Sequence, residues 1–207
     1  MIAIVDYGVG NLFSLSCSLK KIGQDCVVTE DKHIISAADK LILPGVGAFG
    51  NAARLLNESG LGEVVTGCAR EGKPLLGICL GMQLLFDVSY EYGEHRGLGL
   101  IPGVVRPLSG ETKNLKIPHM GWNSLDVKNA GCALFKYIKD GDYVYFVHSY
   151  HCVCAEENDV AAMSLYGIPV TAAVARKNIF GTQFHPEKSG EVGLKILKSF
   201  CELNGGC

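Results

Sequence analysis

One cysteine lies in a pattern that could make it a nucleophile. Cys79 follows the apolar run Leu75–Ile78, with glycines two residues before and two residues after it, in Leu-Leu-Gly-Ile-Cys-Leu-Gly-Met-Gln. A strand turning sharply into a helix would hold such a residue on a strained turn, where only glycine would fit at the flanks. The helix dipole would favour the thiolate, and the N–H of Leu80 would be free for an oxyanion. The pattern favours thiol-based acyl transfer, but a buried structural cysteine between glycines fits it as well.

A histidine near the end of the chain could act as the base. His185 follows an apolar stretch that predicts a strand, and Glu187 comes two residues later, with Pro186 between them. Proline favours extended backbone in the residue before it, and residues two apart in an extended segment point to the same side. Glu187 would then fix the tautomer of His185 and support its charged form. Alone, the stretch is explained by a surface histidine beside a solvated glutamate; with Cys79 it predicts a Cys–His–Glu triad.

These two motifs resemble those of the class I, triad-type glutamine amidotransferases. The motifs are Gly-Ile-Cys-Leu-Gly-Met-Gln at 77–83 and His-Pro-Glu at 185–187. Within that class, three more stretches are similar to the glutaminase subunits of imidazole glycerol phosphate synthases. They are Ile-Val-Asp-Tyr-Gly-Val-Gly-Asn-Leu at 4–12, Pro-Gly-Val-Gly-Ala-Phe at 44–49 and Ile-Pro-His-Met-Gly-Trp-Asn at 117–123. The resemblance covers nearly the whole chain.

The resemblance implies an enzyme that supplies ammonia to a second enzyme. Cys79 would attack the carboxamide of L-glutamine, His185 would transfer protons and Glu187 would orient His185. Glutamate would be released, and the ammonia would pass to a cyclase subunit in a heterodimer. That cyclase forms imidazole glycerol phosphate and aminoimidazole carboxamide ribonucleotide in histidine biosynthesis. No metal or organic cofactor is expected, because thiol, imidazole and backbone N–H groups can fill every role.

The resemblance also implies roles for residues outside the triad. Those expected at the substrate and the oxyanion are Gly45, Val46, Gly47, Leu80, Gln83, Glu91, Ser149 and Tyr150. Those expected at the cyclase face are Asn11, Pro118, His119, Met120, Gly121, Trp122, Asn123, Tyr145 and Lys188.

Simpler structural roles stay open for several of these residues. The loop 44–47 could be an ordinary turn, Glu91 a solvated loop residue and Tyr150 a packed strand end. Trp122, the only tryptophan, could lie in the core, although tryptophan and methionine are enriched at protein interfaces. Of the other histidines, His148 and His151 are expected to be hydrogen-bonded or at the surface, and to bind no metal.

Composition excludes several other classes of protein. With 207 residues and 48 % hydrophobic residues, the chain can bury one core, which predicts a single domain over 1–207. The 19 basic and 21 acidic residues give a net charge of −2, which argues against binding nucleic acid or membrane through bulk charge. The N-terminal apolar run is expected to be a buried strand, not a signal peptide. Nine cysteines without a C-x-x-C pair or zinc spacing predict reduced thiols and a cytoplasmic location.

The elements that would position these residues alternate in the first half of the chain. Apolar runs predict strands at 2–6, 26–28, 40–43 and 75–78, and helical spacing predicts helices at 12–22, about 51–71 and 80–86. This α/β alternation predicts a mainly parallel central sheet with helices on both faces. In the second half, strands are expected at 104–108, 124–127, 143–147, 153, 160–165, 170–175 and 180–184. They would be antiparallel and continue the sheet or fold over it, before a last helix at 190–203.

Two other functions remain open at this point. The chain could be the glutaminase of another class I synthase, such as the one that makes cytidine triphosphate. It could also be a catalytically silent relative or a cysteine hydrolase of other specificity. The motif at 118–123 favours the imidazole glycerol phosphate synthase reading, and the complete triad argues against loss of activity.

Overall fold

The strands form three sheets. The computed structural model describes residues 1–112 and 115–203. Its strands are β1 (Ile2–Val5), β2 (Cys26–Thr29), β3 (Lys40–Leu43), β4 (Leu75–Ile78), β5 (Phe86–Ser89), β6 (His95–Arg96), β7 (Ile101–Pro107), β8 (His119–Ser124), β9 (Asp126–Val127), β10 (Tyr143–His148), β11 (Tyr150–Cys154), β12 (Val160–Tyr166), β13 (Ile168–Arg176) and β14 (Ile179–Thr182). Its α-helices are α1 (Leu12–Lys21), α2 (Lys32–Ala37), α3 (Phe49–Ser59), α4 (Leu61–Arg70), α5 (Leu80–Leu84) and α6 (Gly190–Cys201).

The central sheet is mixed. Its strand order is β2-β1-β3-β4-β14-β13-β12-β9. The first five strands are parallel, and β13, β12 and β9 join them as antiparallel strands. This confirms the predicted mainly parallel sheet with antiparallel strands from the second half of the chain. Because β4 and β14 are parallel neighbours, the residues that follow them emerge at the same edge of the sheet.

The remaining strands form two smaller sheets. One is the antiparallel pair β10-β8, and the other has the order β11-β7-β5-β6. Strands of the second half therefore both extend the central sheet and form separate sheets. The pair β10-β8 contains the predicted partner residues at 119–123 and Tyr145, and the turn between β10 and β11 contains Ser149.

Helices cover both faces of the central sheet, as predicted. Alternate residues of β1 point to opposite faces: Ile2 and Ile4 pack with α1 and α6, and Ala3 and Val5 pack with α2, α3 and α4. All four side chains are at most 4 % exposed. The core therefore has two halves, one on each side of the sheet.

Several local predictions are corrected by the structure. The helix α2 was not predicted, because it is short and buries only Ile35. The helix expected at 51–71 is two helices, since Gly60 adopts φ +69° between them. The helix expected at 80–86 ends at Leu84, and the chain enters β5 at Phe86.

The ends of two other helices differ in detail from the prediction. The helix α1 ends at Lys21, one residue earlier than expected. The helix α6 ends at Cys201, and Cys207 lies outside the described residues. No helix in the described part of the chain combines the length and apolar character needed to cross a membrane.

Candidate active site

Cys79 occupies a strained turn between β4 and α5. Its backbone has φ +55° and ψ −110°, in a region that residues other than glycine rarely adopt. A Cβ atom at Gly77 would lie 2.6 Å from the carbonyl oxygen of Gly81, and one at Gly81 would lie 1.8 Å from that of Leu43. Side chains at either glycine would force the strand and the helix apart. The predicted elbow conformation is therefore present, for the predicted steric reason.

His185 and Glu187 lie beside this turn because β14 runs parallel to β4. Thr182 pairs with Ile78, and the N–H of Cys79 donates to the carbonyl of Thr182 at 2.7 Å. Nδ1 of His185 lies 2.9 Å from Oε1 of Glu187, and both side chains are 2 % exposed. A carboxylate can only accept, so Nδ1 carries a hydrogen and Nε2 is the basic nitrogen of the neutral ring.

The free nitrogen of His185 is placed to exchange a proton with Cys79. Nε2 is buried and makes no hydrogen bond among the described residues. Burial lowers the pKa of His185, but its hydrogen bond with Glu187 and its interaction with the nearby Cys79 outweigh burial and raise the pKa to about 9. The raised pKa favours a positively charged imidazole beside the sulfur, an arrangement that can activate a cysteine nucleophile.

The sulfur of Cys79 makes two further polar contacts. Its thiol donates to the carbonyl of Val147, with 4.0 Å between sulfur and oxygen. The side-chain Nε2 of Gln183 donates to Sγ at 3.7 Å. Activation of the thiol as a nucleophile requires transfer of its proton to Nε2 of His185.

The loop 44–47 is fixed at one end and has room at the other. The hydroxyl of Tyr7 donates to the carbonyl of Pro44 at 2.7 Å, and a Cβ at Gly45 would lie 2.8 Å from the nitrogen of Gly81. Gly47 adopts φ +97°, and a Cβ there would meet no atom within 4 Å. The first part of the loop is therefore held against the cysteine turn, and the peptide next to Gly47 has space to reorient.

A small cavity connects this loop with the histidine. It is lined by Asn11, Val46, His185 and Glu187, among others.

Leu80 is the first residue of α5, so its N–H has no acceptor within the helix. The backbone donors predicted for an oxyanion thus lie on the two segments that flank Cys79.

Gln83 is buried, and both hydrogens of its amide are used within the chain. Nε2 donates to the carbonyl of Tyr150 at 3.1 Å and to Oε1 of Gln183 at 3.0 Å. Its own Oε1 takes part in neither bond and can accept a hydrogen bond from a ligand. Tyr150 is half-buried at the start of β11, and its ring lies 6.3 Å from that of Tyr92.

Glu91 is not a solvated loop residue. It is 9 % exposed, and its carboxylate accepts a hydrogen bond from the N–H of Phe49, the first residue of α3. That bond holds the carboxylate next to the end of the loop 44–47. Ser149 is half-buried between β10 and β11 and accepts from the N–H of Leu108 through its carbonyl, at 2.9 Å.

The pair β10-β8 presents apolar side chains to solvent. Met120 is 60 % exposed and Trp122 is 56 % exposed, which excludes a core position for the tryptophan. Trp122 is paired with Tyr145, and their rings meet edge-on at 6.1 Å. Lys188, on the turn after His185, is also exposed.

His119 is a correction to the predicted partner face. Its side chain is 2 % exposed and stacks between the rings of Phe146, at 4.7 Å, and Tyr166, at 4.0 Å. Alternation along β8 gives the reason, because Met120 and Trp122 point outward and His119 points inward. Asn123 is also anchored, since its side chain donates to the carbonyl of Leu165 at 2.9 Å.

His148 and His151 are hydrogen-bonded, one of the two environments predicted for them. Nδ1 of His148 donates to the carbonyl of Tyr150 at 2.8 Å, and its Nε2 lies 3.0 Å from Nδ1 of His119. Nε2 of His151 lies 3.1 Å from the carboxylate of Glu111. Within residues 1–112 and 115–203, no three His, Cys, Asp or Glu side chains are grouped to hold a metal ion.

Two residues at the site were not predicted. Gln183 contacts the sulfur, and Tyr7 holds the loop 44–47. A signal for Gln183 was present, because it stands two residues before His185 in an extended segment and so shares its side. Tyr7 gave no signal, since its contact with Pro44 depends on β1 and β3 being neighbours in the sheet.

The sequence matches a known protein family and several curated proteins over almost its whole length. A family model described as glutamine amidotransferase class-I matches residues 3–203. Imidazole glycerol phosphate synthase subunit HisH of Wolinella succinogenes is 49 % identical over 205 residues, which cover 98 % of this chain and all of the relative. The protein of the same name from Bacillus thuringiensis is 52 % identical over 200 residues, covering 97 % and 93 % of the two chains.

Solved structures share the fold at lower identity. A crystal structure of a glutamine amidotransferase superposes with a TM-score of 0.75 at 20 % identity and covers 98 % of both chains. The structure of PurLQS from Thermotoga maritima gives a TM-score of 0.73 at 22 % identity, over 97 % of this chain and 96 % of that one. At these identities the likeness shows the fold alone.

Proposed function

Because the chain belongs to the glutamine amidotransferase class-I family, we propose that it is the glutaminase subunit of an imidazole glycerol phosphate synthase. It hydrolyses L-glutamine to glutamate and ammonia. The observation that carries the proposal is the buried set of Cys79 on its strained turn, His185 beside it, and Glu187 at 2.9 Å from His185. The relatives that cover almost the whole chain are subunits of that synthase by name.

The chemistry follows from the positions of these side chains. The Cys79 sulfur attacks the carboxamide carbon of glutamine after its proton has passed to Nε2 of His185. The tetrahedral intermediate collapses, the C–N bond breaks, and His185 returns the proton to the leaving ammonia. Water, deprotonated by His185, then hydrolyses the glutamyl thioester. Glu187 keeps the ring oriented and stabilises its positive charge in each step.

Backbone donors would stabilise the negative oxygen of both tetrahedral intermediates. We assign this role to the N–H of Leu80 and to a peptide of the loop Gly45, Val46 and Gly47. The free first-turn N–H of α5 and the open space around Gly47 support the assignment. Loop reorientation at Gly47 would complete the oxyanion site only when ammonia is needed.

The amino-acid end of glutamine would be held by Gln83, Glu91, Ser149 and Tyr150. Oε1 of Gln83 and the carboxylate of Glu91 are acceptors suited to an α-ammonium group. Ser149 lies on the β10–β11 turn. The half-buried Tyr150, whose carbonyl accepts from Gln83, follows it at the start of β11. These four residues lie on β11, the β10–β11 turn, α5 and the loop after β5.

The ammonia would be received by a cyclase subunit, with which this chain forms a heterodimer. We place the cyclase face on Asn11, Pro118, Met120, Gly121, Trp122, Asn123, Tyr145 and Lys188. The exposed Met120 and Trp122 give this face an apolar centre. The cyclase would use the ammonia to form imidazole glycerol phosphate and aminoimidazole carboxamide ribonucleotide.

The coupling of the two activities would depend on this face. Val147, whose carbonyl holds the Cys79 thiol, pairs with Met120 across β10 and β8. Binding of the cyclase to β8 can therefore change the position of the Val147 carbonyl on β10, which contacts Cys79. We propose that the free chain is nearly silent and that the cyclase with its bound nucleotide accelerates it.

Further features belong to the same proposal. The described residues pack as one unit around the central sheet, in keeping with a single domain over 1–207. No metal or organic cofactor is needed for this chemistry. Each of the eight cysteines in the described part of the chain is a free thiol, in keeping with a cytoplasmic location.

Trapping the covalent intermediate tests the proposed reaction. Intact-protein mass spectrometry after rapid acid quench, with glutamine and the cyclase present, should show a glutamyl adduct on Cys79 in the wild type. The Cys79→Ala variant should show none. A wild-type chain that hydrolyses no glutamine and forms no adduct would instead mark a catalytically silent relative.

A further inference from the structure

We propose that Gln183 is a catalytic residue, whose side-chain amide donates a hydrogen bond to the Cys79 sulfur and stabilises its thiolate. The inference rests on the proposed function of Cys79 as nucleophile. Gln183 is completely buried, and its Nε2 lies 3.7 Å from Sγ. It is a neutral donor, so it can contact both the thiol and the thiolate without taking a proton from His185.

The orientation of the Gln183 amide is fixed from its far end. The carbonyl of Tyr150 can only accept, so the contact at 3.1 Å must come from the nitrogen of Gln83. The second hydrogen on that nitrogen then points to Gln183, 3.0 Å away, which must present its oxygen there. Its nitrogen therefore faces Cys79, and the donor role follows from the network itself.

A second series of hydrogen bonds fixes the carbonyl of Tyr150, at which this network begins. Nδ1 of His148 also donates to the carbonyl of Tyr150, and in the neutral ring its Nε2 then accepts from Nδ1 of His119, 3.0 Å away. This direction requires the His148 ring to be neutral. Burial lowers the pKa of His119 to about 4 and that of His148 to about 3. Near neutral pH the carbonyl of Tyr150 thus accepts from two fixed donors. The side-chain amide of Gln83 therefore keeps its nitrogen toward this carbonyl and does not rotate by 180°.

The sulfur is consequently stabilised from two sides. His185 supplies positive charge on one side, and the amide of Gln183 supplies an N–H on another. A hydrogen bond to a buried charged group favours the charged form by roughly ten- to a hundredfold. The same bond assists deacylation, because the electron pair of the breaking C–S bond returns to the sulfur at that step.

The test measures Cys79 directly, without glutamine. The rate of iodoacetamide alkylation at Cys79 is followed against pH by mass spectrometry of the peptide that contains it. Full-length wild type is compared with Gln183→Met and Gln183→Leu. The matched control is Thr182→Val, since the buried hydroxyl of Thr182 has no hydrogen-bond partner among the described residues.

The expected result is a higher pKa of the Cys79 thiol in both Gln183 variants. The pKa of this thiol should rise by about one to two. The kcat/KM for glutamine in the cyclase complex should fall by roughly ten- to a hundredfold. Thr182→Val should titrate like the wild type.

Two results would overturn the inference. One is a Gln183→Met chain that folds normally and titrates at Cys79 like the wild type. The other is that both Gln183 variants fail to fold while Thr182→Val folds, which would give Gln183 a structural role only. Failure of the proposed function would look different: Cys79→Ala would then still hydrolyse glutamine, whatever the titration of the Gln183 variants.

Discussion

Nδ1 of His185 and Oε1 of Glu187 form a hydrogen bond of 2.9 Å between side chains that are each only 2 % exposed. Water therefore screens this pair very little, and the carboxylate acts on the imidazole at nearly full strength. Together with the interaction with Cys79, it overcomes the effect of burial and raises the pKa of His185 to about 9. The pair determines both the tautomer and the charge of the proposed base.

The titration of His185 should depend on Cys79. Among the interactions that oppose burial, the interaction with Cys79 contributes most to the raised pKa. In Cys79→Ala the pKa of His185 should therefore fall from about 9 to about 8 or below. Nuclear magnetic resonance titration of the ring measures it, with the exposed His33 as the internal control. An unchanged pKa of His185 would show that the sulfur does not interact with the ring.

The same pair should make stability depend on pH in a defined direction. The folded-state pKa of His185 lies above the unfolded value of about 6.5. The stabilisation of the fold by protonated His185 is thus complete below pH 6.5, and it is lost as the pH rises through about 9. Urea unfolding should show Glu187→Gln less stable than the wild type by on the order of 2 kcal/mol near pH 6, with a smaller difference above pH 9. A difference that grows with pH would contradict this sign.

Substitutions in the triad should affect activity in a graded order. Cys79→Ala and Cys79→Ser should abolish glutamine hydrolysis, because no other cysteine in the described residues lies on such a turn. Synthesis by the complex from added ammonium should continue in these variants. His185→Ala should lose nearly as much, since nucleophile and base act as a unit, and Glu187→Gln should lose less. Substantial glutamine hydrolysis by Cys79→Ala would exclude Cys79 as the nucleophile.

A methyl group at Gly81 should disrupt the turn that holds Cys79. Its Cβ would lie 1.8 Å from the carbonyl oxygen of Leu43, so Gly81→Ala should destabilise the fold by roughly 3 kcal/mol or more. Gly67→Ala is the matched control, because a Cβ on that helical glycine meets no atom within 4 Å. It should be neutral or stabilise by up to about 1 kcal/mol. Chemical denaturation measures both, and equal stabilities for the two variants would refute the steric argument.

Trp122→Ala should weaken assembly without weakening the fold. The side chain is 56 % exposed, so its loss should change the unfolding free energy of the free chain by only about 0.5 kcal/mol. Affinity for the cyclase, measured by calorimetry, should drop by at least tenfold if Trp122 anchors the interface. The control is Val28→Ala, an exposed apolar residue on the edge strand β2. A Trp122→Ala chain that binds the cyclase normally would remove this residue from the interface.

The strained turn at Cys79 and the central sheet could be predicted from sequence because each depends on local patterns. Glycine spacing around Cys79 reflects contacts of the turn with itself and with the adjacent strand. Apolar runs predicted β1, β3 and β4 with nearly correct bounds. The interruption at Gly60 was missed, because one glycine within a helical pattern does not show whether it will adopt a left-handed conformation.

The rest depends on contacts between distant segments. His119 was placed at the surface with its neighbours, although alternation along β8 turns it into the core between Phe146 and Tyr166. Gln83 and Gln183 are 100 residues apart, and neither pattern alone indicates their contact. Such contacts become visible only when β4 and β14 are known to be neighbours.

The rate of glutamine hydrolysis as a function of added cyclase subunit tests the central claim most directly. The proposal predicts a very slow rate for the free chain and an acceleration of several orders of magnitude with saturating cyclase and its nucleotide ligand. The glutaminase of another class I synthase would not respond to this cyclase. A free chain that is already as fast as the mixture, or a rate that the cyclase leaves unchanged, would contradict the account.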